Sequence, residues 1–150
     1  MAKELKAPEL MNYAMFCGGC GHGVLLRLIC ECLEEYGLDK KTIAAIGVGC
    51  SCHLKSGINV DLVQSPHGRA AAVATGIRRA EPDKFVFTYQ GDGDAYNIGL
   101  AETLNAAYRN ENICVFIINN GNFGMTGGQM AWTTMPGQKT ATSPKGRDCA

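Results

Sequence analysis

Phe85-Val-Phe-Thr-Tyr89 runs into Gln90-Gly91-Asp92-Gly93-Asp94. Further on, Ile113-Cys-Val-Phe-Ile-Ile118 ends in Asn119-Asn120-Gly121. Short apolar runs rich in β-branched and aromatic residues, each stopped by glycine or asparagine, read as strands buried on both faces. Between them, Ile98 to Tyr108 carries helical spacing. A strand, a crossover helix and a parallel return strand consume about 30 residues. The 28-residue step from Asp92 to Asn120 therefore predicts that the two strands are neighbours, with both residues at their carboxyl ends.

The same grammar continues toward the N-terminus. Val24, Leu25, Leu28, Ile29, Cys32, Leu33 and Tyr36 recur at helical spacing, and Gly37 suits the residue after the helix. Ile43 to Val48 reads as another buried strand, breaking into Gly49-Cys50-Ser51-Cys52-His53. Ser65-Pro66-His67-Gly68-Arg69 is a turn that opens an alanine-rich helix, Ala70 to Ala80, stopped by Glu81-Pro82-Asp83. The order helix, strand, helix, strand, helix, strand predicts an α/β fold: a parallel β-sheet with helices on both faces. Ligands of such sheets bind beyond the carboxyl ends of the strands, where the loops after Val48, Tyr89 and Ile118 fall. The tail from Thr133 to Ala150 returns to no helix or strand pattern, and the single domain, 1–150, reads as truncated at its C-terminus.

The totals exclude several classes. The chain has 150 residues and a formal net charge of zero, so it lacks the basic footprint of a nucleic-acid or membrane-surface binder. No apolar run reaches the ~18 residues that span a bilayer. The charged start, with Lys3, Glu4, Lys6 and Glu9, is no signal peptide, which leaves a cytoplasmic location as the expectation. Nineteen glycines gather around the apolar runs, as phosphate-binding turns require, and eight cysteines without a secretory signal favour metal or redox roles.

The chemistry concentrates after the strands. Glycines on both sides of Asp92 let the backbone turn sharply and approach a ligand. Asp92 is then a hard oxygen donor of the kind Mg²⁺ shares with substrate phosphates. Asn120 supplies a second oxygen from the adjacent strand end. Asn122-Phe-Gly124-Met125-Thr126-Gly-Gly-Gln129 follows, a glycine-rich turn suited to cradling an anion, with the Thr126 hydroxyl as a further donor. Either motif alone is commonly an ordinary turn. Together, at this spacing, they describe a diphosphate and cation site. No Gly-x-Gly-x-x-Gly and no Gly-Lys-[Ser/Thr] is present to support a dinucleotide or P-loop alternative.

Gly91-Asp92-Gly93 followed by Asn119-Asn120 resembles the signature shared by thiamine-diphosphate enzymes. Gly91-Asp-Gly-Asp94 with Ile98-Gly99, then Phe123-Gly-Met-Thr-Gly-Gly-Gln129, resembles one branch of them, the β subunits of 2-oxoacid:ferredoxin oxidoreductases. The resemblance runs from about Cys17 to the end of the chain. It implies the thiamine-diphosphate-binding fold, with Asp92, the Asn120 side chain and the Asn122 carbonyl as Mg²⁺ ligands. It implies that Cys50, Ser51, His67, Gly91, Asp92, Gly93, Asp94, Asn120, Asn122, Gly124, Met125 and Thr126 bind the cofactor. His67 is also the one candidate for a catalytic role.

Cys17-x₂-Cys20 is a metal or redox spacing, and Cys50 and Cys52 follow a strand end. A zinc site from these four is chemically reasonable. The resemblance favours a [4Fe–4S] cluster on Cys17, Cys20 and Cys50, with a fourth ligand outside the chain or supplied by Cys52. Cys30, Cys32 and Cys114 read as small buried hydrophobes, and nothing in the sequence supports a role for Cys149. His22 either contacts the cofactor or caps the first helix. His53 reads as a surface or satisfied histidine, and Arg69 binds an anion or pairs with an acid.

The resemblance implies an oxidoreductase of EC 1.2.7 type. It decarboxylates a 2-oxoacid to an acyl-coenzyme A and passes electrons to ferredoxin. The segment Gln129 to Met135 looks closer to branched-chain 2-oxoacid or 2-oxoglutarate versions. No glutamate here suits the activation of thiamine, so an α subunit, with further γ or δ subunits in some assemblies, is the expected partner, and the chain alone is expected to be inactive. A non-oxidative thiamine-dependent decarboxylase or carboligase, and a zinc-binding interaction module, are the alternatives.

Overall fold

The computed structural model describes residues 6–148. Helix α1 spans Gly21–Glu35, strand β1 Thr42–Ile46 and the short helix α2 Leu54–Gly57. Then come strand β2, Asp61–Gln64, helix α3, Ala70–Ala80, and strand β3, Phe85–Gly91. Helix α4, Leu100–Tyr108, and strand β4, Cys114–Ile118, complete the main body. A two-stranded antiparallel hairpin of β5, Asn122–Phe123, and β6, Gln129–Met130, follows.

The four main strands form one parallel sheet in the order β2-β1-β3-β4. Alternation along the strands assigns the layers. Ala44 and Ile46 of β1 pair with Phe87 and Tyr89 of β3, and this face packs on α1. The helix meets it with Leu26, Ile29, Cys30 and Leu33, the i, i+3, i+4, i+7 stripe of an amphipathic helix. Leu26 is fully buried, so truncation to alanine there would cost about 2–5 kcal/mol and open the centre of the contact. Ala45 and Val86 point to the opposite face and meet Ala74 of α3. The alanines at 70, 71 and 74 lower that helix onto the sheet, since a side chain of one carbon allows close approach. Helices thus cover both faces, as the apolar runs predict.

Gly37 ends α1 with φ of 63°, a left-handed conformation natural to glycine. The Leu38 N–H donates to the Leu33 carbonyl at 2.8 Å and the Gly37 N–H to Glu34, the double closure of a Schellman motif.

The structure departs from the sequence reading in several places. Strand β2 is an addition; its pattern is mostly exposed, so Asp61-Leu-Val-Gln64 shows neither an apolar run nor a buried alternation. Strand β1 stops at Ile46, two residues before the expected end. Ahead of α4, Gly93–Ile98 forms a π-helix, with the Gly99 N–H donating to the Asp94 carbonyl at 2.9 Å. Such wide turns are uncommon and gather at functional sites.

Topology locates the site. From β1 the chain steps outward to β2, then crosses back over β1 to reach β3. The strand order reverses between β1 and β3, and a crevice opens at their carboxyl ends.

Candidate cofactor and cation site

That crevice is a cleft of about 160 Å³. Its walls come from the loop after β1 (Val48, Gly49, Cys50), the turn before α3 (His67), the loop after β3 (Gly91 to Asp94) and the loop after β4 (Asn120, Asn122 to Thr126), with His22 at its base. Of the residues expected to bind a cofactor, all except Ser51 line it. Ser51 is buried, with its hydroxyl turned to the Val48 carbonyl at 3.5 Å. Val48, Gly49 and Phe123 are on the wall without having been expected there, and His22 lines it in keeping with the first of its two readings.

Asp92 and Asn120 meet as the strand spacing requires. β3 and β4 are adjacent, with Gly91 opposite Ile118, and the Asn120 N–H donates to Asp92 Oδ1 at 3.4 Å. The other oxygen, Oδ2, accepts from the Thr133 hydroxyl. Asp92 is 1% exposed. Among the described residues no cationic side chain forms an ion pair with it. Asn120 Oδ1 accepts the Asn122 N–H at 3.2 Å, which folds the turn so that both asparagines face the cleft.

Asp94 is equally buried, yet its carboxylate is saturated by protein donors. Oδ1 accepts from the N–H groups of Val48 (3.2 Å) and Gly68 (2.8 Å) and from His67 Nδ1; Oδ2 accepts from Gln90 Nε2 at 2.6 Å. One side chain thus ties together the loop after β1, the turn before α3 and the end of β3. Gly47 has to be glycine for this: a Cβ there would stand 2.2 Å from Asp94 Oδ2. His67 is held by its Nδ1 and lines the cleft, leaving Nε2 as its free ring nitrogen.

His22 does not cap α1. Its Nδ1 meets the Tyr89 hydroxyl at 3.1 Å, and that hydroxyl donates its only proton to the His22 carbonyl at 2.9 Å. The proton on the ring must therefore sit on Nδ1. Phe16 stacks on the ring at 5.0 Å. Burial holds the His22 pKa down to about 4, helped by His53, while Asp92 pulls it the other way. His53 is half-buried and unsatisfied: among the described residues its buried Nδ1 has no hydrogen-bond partner, and the ring stands edge-on to Phe16. Arg69 pairs with Glu102 at 3.0 Å.

Cys50 joins the cleft to the cysteine group. Its thiol is pushed up by burial and then by Cys20, Cys17 and Cys52 in that order, which places all four in one electrostatic neighbourhood. The Met125 N–H bonds its sulfur and pulls the other way. Among the described residues no three His, Cys, Asp or Glu side chains converge on the position of a single metal ion. Cys30 is buried as expected, whereas Cys32 is exposed, and Cys149 lies outside the described residues. The Thr126 hydroxyl, expected to face an anion, instead bonds Gln129 Oε1 and the Phe123 carbonyl.

Fold and cleft together define a thiamine-diphosphate-binding domain, and the family profile described as "Thiamine pyrophosphate enzyme, C-terminal TPP binding domain" matches residues 47–149. The chain belongs to that family. Its relatives are narrower in kind. The ketoisovalerate oxidoreductase subunit VorA of Methanothermobacter thermautotrophicus is 50% identical over 145 residues, which is 97% of this chain and 30% of that protein. The 2-oxoglutarate synthase subunit KorB of Methanocaldococcus jannaschii is 40% identical over 133 residues, 88% of this chain and 49% of that one. A solved 2-oxoglutarate:ferredoxin oxidoreductase from Magnetococcus marinus, with 2-oxoglutarate, coenzyme A and succinyl-CoA bound, superposes with a TM-score of 0.89 at 33% identity, covering 96% of this chain and 50% of that one. The chain therefore spans half the length, or less, of these relatives. Among the described residues no helix is long and apolar enough to cross a membrane.

Proposed function

We propose that this chain is the thiamine-diphosphate- and Mg²⁺-binding part of a 2-oxoacid:ferredoxin oxidoreductase, acting in the cytoplasm on a branched-chain 2-oxoacid or 2-oxoglutarate. The observation that carries the reading is the environment of Asp92. A carboxylate only 1% exposed with no cationic partner among the described residues is costly. It faces a cleft shared with the oxygens of Asn120 and Asn122. Hard oxygen donors of this kind suit Mg²⁺, which bridges one or two carboxylates to phosphates. Asp92, Asn120 and the Asn122 carbonyl would hold the cation, and Gly124, Met125 and Thr126 would line the diphosphate.

Thiamine diphosphate, when bound, supplies a carbanion nucleophile and an electron sink. The protein's own residues orient and shield it. Asp92 anchors the cation as an electrostatic support and takes no part in acid–base transfer. Asp94 fixes three of the four segments that form the walls. His67, held by Asp94 with its second nitrogen free, is the candidate to contact the reacting groups. Cys17, Cys20 and Cys50 would carry the [4Fe–4S] cluster, a group whose thiolates bind separate irons and need not converge on one point. Their shared electrostatic neighbourhood supports this, and Cys52 stands within it as a local fourth thiol. Electrons would leave through the cluster to ferredoxin, and coenzyme A would take the acyl group.

Pockets that enclose small-molecule ligands usually measure about 300–1,000 Å³. A cleft of about 160 Å³ is too small to enclose the whole cofactor. That favours a site completed by a companion subunit, which would also bring the activating carboxylate. The test is a thermal shift on the intact protein. Thiamine diphosphate with Mg²⁺ at about 100 times Kd should stabilise the fold by about 2.7 kcal/mol and raise Tm by several degrees. No shift with both present would overturn the reading.

A further inference from the structure

The segment after β6 bonds to both halves of the candidate cation site. The Thr133 hydroxyl donates to Asp92 Oδ2, beyond the end of β3. The Thr134 hydroxyl donates to the Gly121 carbonyl at 2.6 Å, beyond the end of β4 and between Asn120 and Asn122. Thr134 is buried, and its hydroxyl also accepts the Ala131 N–H at 2.9 Å, so its rotamer is fixed. Two adjacent residues lie about 3.8 Å apart at their Cα atoms, a distance set by the trans peptide itself. The pair thus acts as a short rigid tie between two loops that the sheet alone joins only at their bases.

The tie is in turn anchored. The Trp132 N–H donates to Asn97 Oδ1 at 2.9 Å, within the π-helix. Arg147 donates from Nη1 to the carbonyls of Trp132 and Thr134. Arg147 is itself held by its backbone, donating to Gln138 and accepting from Gly137, both at 2.9 Å.

We propose that Thr133 and Thr134 are positioning residues of the cation site, setting the orientation of the Asp92 carboxylate and its distance from the Asn120–Asn122 turn. The inference rests on Asp92 and Asn120 being the cation ligands. The Thr133 bond fixes the plane of the carboxylate and occupies Oδ2, leaving Oδ1, the oxygen on the Asn120 side, for a cation. Partners that orient a metal ligand typically carry a 10–100-fold effect on affinity.

The experiment uses the intact protein with its companion subunits and Mn²⁺ as the probe, titrated by electron paramagnetic resonance with thiamine diphosphate present. Thr133→Val and Thr134→Val should each raise the Mn²⁺ dissociation constant about 10–100-fold and alter the bound-Mn²⁺ spectrum. Thr133→Ser and Thr134→Ser, which keep the hydroxyl, should restore both. Should a valine variant not fold, alanine at the same position carries the same expectation. Wild-type affinity and spectrum in the valine or alanine variants would overturn the proposal. So would parallel loss of folding, by circular dichroism, in the serine variants, which would make the pair a folding determinant only. Asp92→Ala separates the two readings: if it too binds Mn²⁺ as the wild type does, the cation site itself is wrongly placed.

Discussion

Asp92 and Asp94 are two residues apart, both 1–2% exposed, on one glycine-rich loop, and they live in opposite circumstances. Asp94 accepts from four protein donors drawn from three segments of the chain. Asp92 accepts one long backbone bond and one hydroxyl and otherwise faces a cleft. A buried charge is tolerated only when something compensates it. For Asp94 the compensation is built into the fold. For Asp92 it has to come from outside. The saturated carboxylate therefore holds the walls, and the unsaturated one waits for a ligand.

The strongest way to break this comparison is Asp94→Asn. It puts an amide where four donors converge, so donors face a donor, and loss on the order of 4 kcal/mol is expected in chemical denaturation. A loss below about 1 kcal/mol would mean that the four bonds organise nothing. Next comes a pH profile of stability in metal-free protein. Because His22 titrates at about 4 when folded and near 6.5 when unfolded, the unfolded chain binds more protons between those values. Stability contributed by the neutral ring is complete above about pH 6.5 and is lost as pH falls toward 4, a change on the order of 3 kcal/mol. His22→Gln should flatten that part of the curve; an unchanged slope would show that the buried histidine is not its source.

Asp92→Ala should do to binding what Asp94→Asn does to folding. Mg²⁺ affinity measured by calorimetry should drop on the order of 100-fold, while the metal-free melting temperature changes little. Equal damage to both quantities would erase the distinction between the two carboxylates. The smallest effect sharpens the same logic. Tyr89→Phe removes a hydroxyl that serves both the ring and the carbonyl of His22. A cost of about 1–3 kcal/mol is expected from the unpaired groups left behind. A neutral result would mean that water takes the place of the hydroxyl.

Much of this is legible in the sequence alone. β1 and β3 are mostly buried and appear in the chain as apolar runs closed by glycine turns; β4, half-exposed at the sheet edge, still carries an unbroken apolar run from Cys114 to Ile118 closed by asparagine. The neighbouring placement of Asp92 and Asn120 follows from the length of one crossover. β2 was not legible, because an exposed edge strand shows neither signature. The different fates of Asp92 and Asp94 were also hidden, since both sit in the same Gly-Asp-Gly-Asp string and only the fold decides which meets Val48, Gly68 and Gln90. The same holds for Thr133: nothing local marks a threonine 41 residues from its partner. His22 carried half a signal, its position at a helix start, without the Tyr89 contact that settles which way it faces.

The π-helix between Gly93 and Ile98 sets the register of the helix that follows it. Such a turn is an α-helix carrying one residue too many. Wound instead at 3.6 residues per turn, the same residues would carry everything downstream about 100° further round. Glu102 would swing away from Arg69, and the glycine at 99 would leave Gly68, whose carbonyl now lies 2.3 Å from where a side chain would begin. Insertions and deletions are tolerated in most loops beside a sheet. Here the spacing of this turn acts as a reading frame, and a shift of one residue would be felt along the whole of α4.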